Sequence, residues 1–277
     1  MITRFAPSPT GPLHLGHAFS ALTAFDMAQA AGGTFLLRIE DIDQSRCRPE
    51  WEAQIFDDLL WLGLRWPEPV MRQSARLPTY HAALIRLWDM GLLYPCTCAR
   101  RDIAAALGAP QEGAMGPDGP VYPGTCRDKP RPPVLPSDAV LRLDMGRAVA
   151  GLGPLGFEET GENAGWHRVD PAALPATVGD VVLARRGMGT SYHLSVVVDD
   201  AAQGITHVVR GADLQEATQI HVLLQAVLGL PRPIYHHHRL IRDDQGKRLA
   251  KRDDARALAT YRAEGRSPKD ICLMVGL

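Results

Sequence analysis

Apolar positions along this chain recur in two alternating rhythms. Residues 2–6 form a short run of strand type, and residues 18–31 carry Phe19, Leu22, Phe25 and Met27 at helical spacing before Gly32-Gly33 stops them. The following TFLLRIED is rich in β-compatible residues, so residues 1–41 read as strand, helix, strand, the βαβ unit of an open parallel sheet. Two further helices are predicted over 49–63 (Ile55, Leu59, Leu62) and 79–91 (Leu84, Leu87), each ending at glycine. Beyond Val140 the segments AVLRLDM, GDVVLARR and SYHLSVVVDD read as strands continuing the parallel sheet, the last apolar enough to be buried on both faces. Residues 218–229 read as a helix, and PIYHHHRLI as a final strand before a basic turn. The expected class is α/β. Residues 108–136 stand apart: eight prolines and five glycines exclude regular helix and central strand there.

Composition adds less. The 277 residues, 45% of them apolar, suffice for one large domain with an insertion or for two modest domains. Thirty basic and 31 acidic side chains nearly cancel, so a nucleic-acid surface would have to come from local clustering. No apolar run reaches membrane-spanning length and no signal-peptide pattern opens the chain, which points to a cytoplasmic protein with no membrane partner. Five cysteines, an odd number, argue against a disulfide framework.

The candidate chemistry begins at RFAPSPTGPLHLGH, residues 4–17. A turn rich in glycine and proline between a strand and a helix brings backbone close to a ligand, and a helix N-terminus favours phosphate. His14 and His17, three residues apart, would share one side of the first turn and could donate to phosphate oxygens; they could equally be helix caps. The basic loop GKRLAKR, residues 246–252, offers Lys251 as a lid lysine for a triphosphate, or is a solvated face. Cys96 and Cys98 form a C-x-C pair with Cys126 later. Three thiolates suit zinc, although the spacing also fits free thiols. His236, His237 and His238 alternate on a strand and cannot all converge on a metal.

Taken in order, RFAPSPTGPLHLGH, RIEDIDQSR, YHLSVVVDD, VVRGADL and RLAKR resemble a class I aminoacyl-tRNA synthetase of the glutamyl type, the first and last matching its HIGH and KMSKS signatures. Only 25 residues follow Arg252, where a glutamyl enzyme continues into an anticodon-binding region. That shortening, with the cysteine-bearing insertion, resembles the glutamyl-queuosine type, which attaches glutamate to the queuosine base in the anticodon of tRNA(Asp). The resemblance implies a Rossmann-type parallel sheet with an inserted zinc-containing subdomain and a short C-terminal region. Residues 1–95 and 185–235 would be the two halves of the catalytic domain, 96–184 the insertion, and 236–277 the KMSKS-like loop and a truncated stem-contact region.

The same resemblance implies site residues. Arg4, Ala6, Ser8, Glu40, Tyr192 and Arg210 would bind glutamate, with Glu40 receiving its ammonium group and arginine suiting its carboxylates. His14, Gly16, His17 and Lys251 would bind ATP with Mg²⁺, and His14, His17 and Lys251 would act in catalysis. Outside the resemblance, Arg4 and Glu40 could be an ordinary ion pair at the sheet edge, Tyr192 a core aromatic and Arg210 a surface turn residue. One structural zinc would sit on Cys96, Cys98, Tyr122 and Cys126, with Asp118, Glu112 or water as alternatives to Tyr122. Partners would be L-glutamate, ATP and queuosine-containing tRNA(Asp), acting on a monomer. Two departures stand out: Ala250 replaces the signature serine, and Val196 stands where glutamyl enzymes tend to carry asparagine. Competing readings are standard glutamyl-tRNA synthesis, a small-molecule nucleotidyltransferase of the same superfamily, and a non-catalytic RNA-binding descendant of a synthetase.

Overall fold

The computed structural model describes residues 1–99, 101–103, 115–242 and 256–277. Lys251, Ala250 and Glu112 lie outside the described residues. The opening βαβ unit forms as the pattern predicts, with β1 (Ile2–Phe5), α1 (Leu15–Ala30) and β2 (Thr34–Ile39). Helix α1 begins three residues earlier than its apolar spacing suggested, because His14 caps it. It ends where the chain must double back: a Cβ on Gly33 would come within 2.0 Å of Met1 O, so only glycine allows the return into β2. Helix α2 (Pro49–Trp61), strand β3 (Met71–Arg72) and helix α3 (Leu77–Asp89) follow. The sheet β1–β2–β3 is parallel throughout.

From β4 (Leu93–Cys96) the chain enters the cysteine-bearing segment, where the described part forms a small hairpin of β5 (Met115–Gly116) and β6 (Gly119–Pro120). Strand β7 (Val140–Leu143), the short helix α4 (Met145–Val149), strands β8 (Leu155–Glu159) and β9 (Gly165–Val169), the single turn α5 (Leu174–Thr177) and β10 (Val182–Ala184) come next. Here the expectation of a continuing parallel sheet fails. β7 runs antiparallel to both β4 and β10 in a sheet of its own. Strand direction depends on how the connections route the chain, and an apolar alternation carries no record of that.

A second correction concerns SYHLSVVVDD. It is a helix, α6 (Tyr192–Ala202), with Ser191 as N-cap. Its apolar run reads as a strand because both faces are buried, so no solvent face imprints a helical period. Its polar residues are buried too and serve tertiary partners. Asp199 accepts from Tyr80, Gln73 and Arg76, and Asp200 from Arg4 and Arg38. Strand β11 (His207–Gly211), helix α7 (Thr218–Leu228), strand β12 (Ile234–His238) and helices α8 (Leu258–Ala263) and α9 (Pro268–Val275) complete the described chain. Gly229 closes α7 in the left-handed conformation.

Strand β11 lies beside β1, Thr206 N donating to Ile2 O at 3.0 Å, and pairs in parallel with β12. β8 continues in parallel and β9 turns back against it; both fall within residues 96–184. One apolar core packs α3, α6 and α7 around β8, β11 and β12; a second packs α1, α2, α8 and α9 around β1 and β2. The carboxyl ends of β1, β2 and β11 open on one side, at the point where successive strands have been laid to opposite sides of β1. In parallel sheets that crevice is where ligands bind. Among the described residues no helix is long and apolar enough to cross a membrane.

Candidate active site

The crevice holds a cavity of about 430 Å³. Its lining includes Arg4, Ala6, Ser8, His14, Gly16, His17, Glu40, Tyr192 and Arg210, so every described residue expected to meet glutamate or ATP faces one space. Ile241 also lines it. Beyond residues 243–255, Ala257 is bridged to His14 and Leu258 N donates to Leu13 O at 2.8 Å.

Both histidines cap α1, and in doing so they acquire a defined orientation. His14 Nδ1 accepts from Gly16 N at 3.1 Å and His17 Nδ1 accepts from His14 N at 3.2 Å, a reciprocal capping box with the ring centroids 3.8 Å apart. Two N–H groups expected to await a ligand are therefore satisfied by the imidazoles themselves. Because each Nδ1 accepts, each neutral ring carries its proton on Nε2, which makes Nε2 a donor.

Arg4 and Glu40 do not pair with one another. Arg4 meets Asp200 at 3.1 Å and Val209 O at 3.2 Å, while Arg38, wholly buried, bridges Asp200 at 2.6 Å and Glu40 at 3.0 Å. Burial opposes the charge on Arg38, but Asp200 and Glu40 outweigh it and raise its pKa above the ordinary value. Burial pushes Glu40 up, with Arg38 and Arg4 pulling against it. For Asp200 burial also pushes up, and Arg4 and Arg38 prevail and hold it down. Two arginines and two carboxylates balance. Sequence reasoning missed Arg38 and Asp200; the available signal was a cation in the middle of an apolar strand, which burial forces to find a counter-charge.

Arg210 is built differently. It is buried in β11, and its donors reach His237 Nε2 (3.1 Å), His221 Nδ1 (3.0 Å), Leu214 O (3.2 Å) and Thr218 Oγ1 (2.8 Å), every one a neutral acceptor. Among the described residues no carboxylate pairs with it. Burial first and then Arg210 depress both rings, His237 to about 4 and His221 well below its ordinary value, so neither shares the charge. Arg4 and Arg210 share the cavity wall with Glu40 and Asp213, and Arg210 is the cation there whose charge meets only neutral acceptors among the described residues. Tyr192, at the start of α6, lies against the His193 and His221 rings, its pKa raised mainly by burial. Val196 is absent from the cavity wall and packs in the core.

The cysteine segment gathers a second cluster. Sγ atoms of Cys96, Cys98 and Cys126 all lie within 4.8 Å of one another, and Tyr122 Oη stands 3.5 Å from Cys96 Sγ and 3.3 Å from Cys98 Sγ. Four ligands at about 2.3 Å from a tetrahedral zinc would place sulfurs under 4 Å apart, and Cys98 and Cys126 are at 3.5 Å. The donor set fits such an ion. Asp118 is elsewhere, 3.5 Å from His193 Nε2, which removes it as the fourth ligand. His236, His237 and His238 diverge as alternation requires, to Thr160, Glu159 and Arg239 O.

Residues 1–128 and 170–277 match the family described as tRNA synthetases class I (E and Q), catalytic domain. The chain is 67% identical over its whole length to the whole of a glutamyl-Q tRNA(Asp) synthetase of Rhodobacter capsulatus. It is 43% identical over 97% of its length, covering 83% of the relative, to one of Symbiobacterium thermophilum. Among solved structures, a glutamate tRNA ligase of Elizabethkingia meningosepticum in complex with its amino acid superposes with TM-score 0.78 at 28% identity. That match covers all of this chain and 60% of the solved one, so the chain spans well under two thirds of that ligase. A methionyl-tRNA synthetase of Mycobacterium tuberculosis, at 10% identity and TM-score 0.56, shares the fold alone.

Proposed function

The chain belongs to the class I tRNA synthetases of the glutamate and glutamine type, and on that premise we propose that it activates L-glutamate with ATP and transfers it to the queuosine base in the anticodon of tRNA(Asp). The observation that carries the amino-acid assignment is Arg210, a buried guanidinium without a carboxylate partner among the described residues, in a cavity it shares with Glu40. Glutamate brings one ammonium and two carboxylates, and its side-chain carboxylate supplies the counter-charge that Arg210 lacks among the described residues. Glutamine is neutral overall and would leave the guanidinium uncompensated.

In the first step an oxygen of the glutamate α-carboxylate attacks the α-phosphorus of ATP, forming the mixed anhydride and expelling pyrophosphate. Glu40 holds the ammonium group, Arg210 and Tyr192 take the side-chain carboxylate, and Arg4, Ala6 and Ser8 form the floor. His14 and His17 direct Nε2–H donors at phosphate oxygens, with Gly16 giving the backbone room to approach. Lys251 is assigned to the leaving pyrophosphate, supported by Ile241 on the cavity wall and the bridge from Ala257 to His14. Mg²⁺ arrives with ATP. In the second step a hydroxyl of the queuosine cyclopentene ring attacks the activated carbonyl and AMP departs.

The division into catalytic halves 1–95 and 185–235, insertion 96–184 and C-terminal region 236–277 belongs to the same proposal, as does action as a monomer in the cytoplasm. Cys96, Cys98, Tyr122 and Cys126 would hold one zinc ion, which would order the proline-rich segment. The test is adenylate formation with labelled glutamate, followed by transfer to queuosine-containing and queuosine-free tRNA(Asp). Label on the anticodon loop of the modified RNA alone is the expected result. Label at a 3′ terminus would favour standard glutamyl-tRNA synthesis, and exchange independent of glutamate would favour a nucleotidyltransferase.

A further inference from the structure

Behind Arg210 runs a string of imidazoles to which the reaction above gives no task. His221 Nδ1 lies 3.0 Å from Arg210 Nη1, His221 Nε2 lies 3.2 Å from His193 Nδ1, and His193 Nε2 stands 3.5 Å from Asp118 Oδ1. A guanidinium only donates, so His221 Nδ1 must accept and the proton of the neutral ring sits on Nε2. From there it is donated to His193 Nδ1, which places the His193 proton on Nε2, facing a carboxylate that only accepts. Both ends of the string impose the same direction on every bond.

A second string leaves the opposite edge of the fork. Arg210 Nε donates to His237 Nε2, His237 Nδ1 donates to Glu159 Oε2 at 2.5 Å, and Glu159 also accepts from the backbone of Thr160, Gly161 and His237. That string stays within β8, β11 and β12. The first one leaves the central sheet altogether: His221 is on α7, His193 on α6, and Asp118 in the turn of the β5–β6 hairpin, four residues before Tyr122.

We propose that His193 and His221 are positioning residues that set the plane of the Arg210 guanidinium, and that Asp118 is the anchor through which the cysteine-bearing segment fixes them. The inference rests on the reading of Arg210 as the receptor for the glutamate side chain. An arginine clamped by neutral acceptors on both edges keeps its full charge and has four of its five N–H groups committed, so the direction of the remaining Nη1–H, the one left to meet a carboxylate oxygen, is fixed by the clamp. A loosened fork costs binding of the amino acid and leaves the nucleotide contacts untouched.

The experiment is ATP–pyrophosphate exchange by the full chain in the presence of tRNA(Asp), with KM measured separately for glutamate and ATP and with thermal melts as a check on folding. His221→Leu keeps the bulk and removes the acceptor. It is expected to raise the glutamate KM about tenfold while kcat and the ATP KM stay within about twofold. In His221→Gln the amide oxygen accepts from Arg210 and the amide nitrogen donates to His193, so this variant is expected to restore the wild-type KM. Asp118→Ala, at the exposed end of the string and outside the cavity, is expected to raise the glutamate KM several-fold with an unchanged melt. A glutamine variant as impaired as the leucine one, or a wild-type KM in Asp118→Ala, overturns the proposal. Wild-type protein without glutamate-dependent exchange overturns the glutamate reading beneath it instead.

Discussion

Arg210→Gln is the substitution with the most to say about substrate choice. It removes the cation and keeps an amide that can still donate to Thr218 or His237, so the pocket stays hydrogen-bonded while it loses one positive charge. The glutamate side-chain carboxylate would then be buried without a counter-charge. Leaving one partner of a buried pair unmatched costs about 3–5 kcal/mol. At about 1.4 kcal/mol per tenfold, kcat/KM for glutamate should fall by roughly two to three and a half orders of magnitude. The ATP KM should hardly move, because the capping histidines are anchored on α1. Glutamine, with no charge to compensate, should lose far less, and the preference for glutamate should collapse. Pyrophosphate exchange titrated with each amino acid reads all three quantities. If the variant kept kcat/KM for glutamate within tenfold of wild type and kept its preference over glutamine, the charge argument would be refuted.

Asp58 offers a stability prediction unconnected to the site. It is 1% exposed on α2, its Oδ2 has no hydrogen-bond partner among the described residues, and burial, reinforced by Asp57 and only partly opposed by Arg262, pushes it up to about 6 from 3.8. A folded-state value above the unfolded one means that the penalty is absent below about pH 4, grows as pH rises through 6 and is complete above 7. Asp58→Asn should therefore raise the melting temperature at pH 8, by an amount worth up to about 3 kcal/mol, and should give no gain at pH 4. An equal gain at both pH values would point to packing instead of ionisation. For the cysteine cluster, protein expressed with zinc in the medium should carry about one equivalent by elemental analysis, and Cys126→Ser should lose it together with several degrees of thermal stability. A wild-type chain free of metal under those conditions would leave the four donors without an ion to explain their convergence.

Local pattern alone determined a good part of this molecule. The βαβ opening, the two helices ending at glycine, the helix closed by Gly229 and the divergence of the three consecutive histidines all follow from rules that act over a few residues, and such rules are written in contiguous sequence. Ordered motifs also gave the candidate site, because each occupies the end of a strand or the first turn of a helix. Only tertiary structure decided that SYHLSVVVDD is a helix, since burial on both faces erases the period that would reveal it. It likewise decided that β7 is antiparallel, and that Arg4 turns to Asp200, 196 positions away, instead of to Glu40. Charge pairing in an interior depends on which groups the fold brings within a few ångströms, and that distance has no counterpart in spacing along the chain. For the same reason Arg210 could be named from its motif, while its solitary charge and the histidines that hold it emerge only when β11, α6 and α7 are packed together.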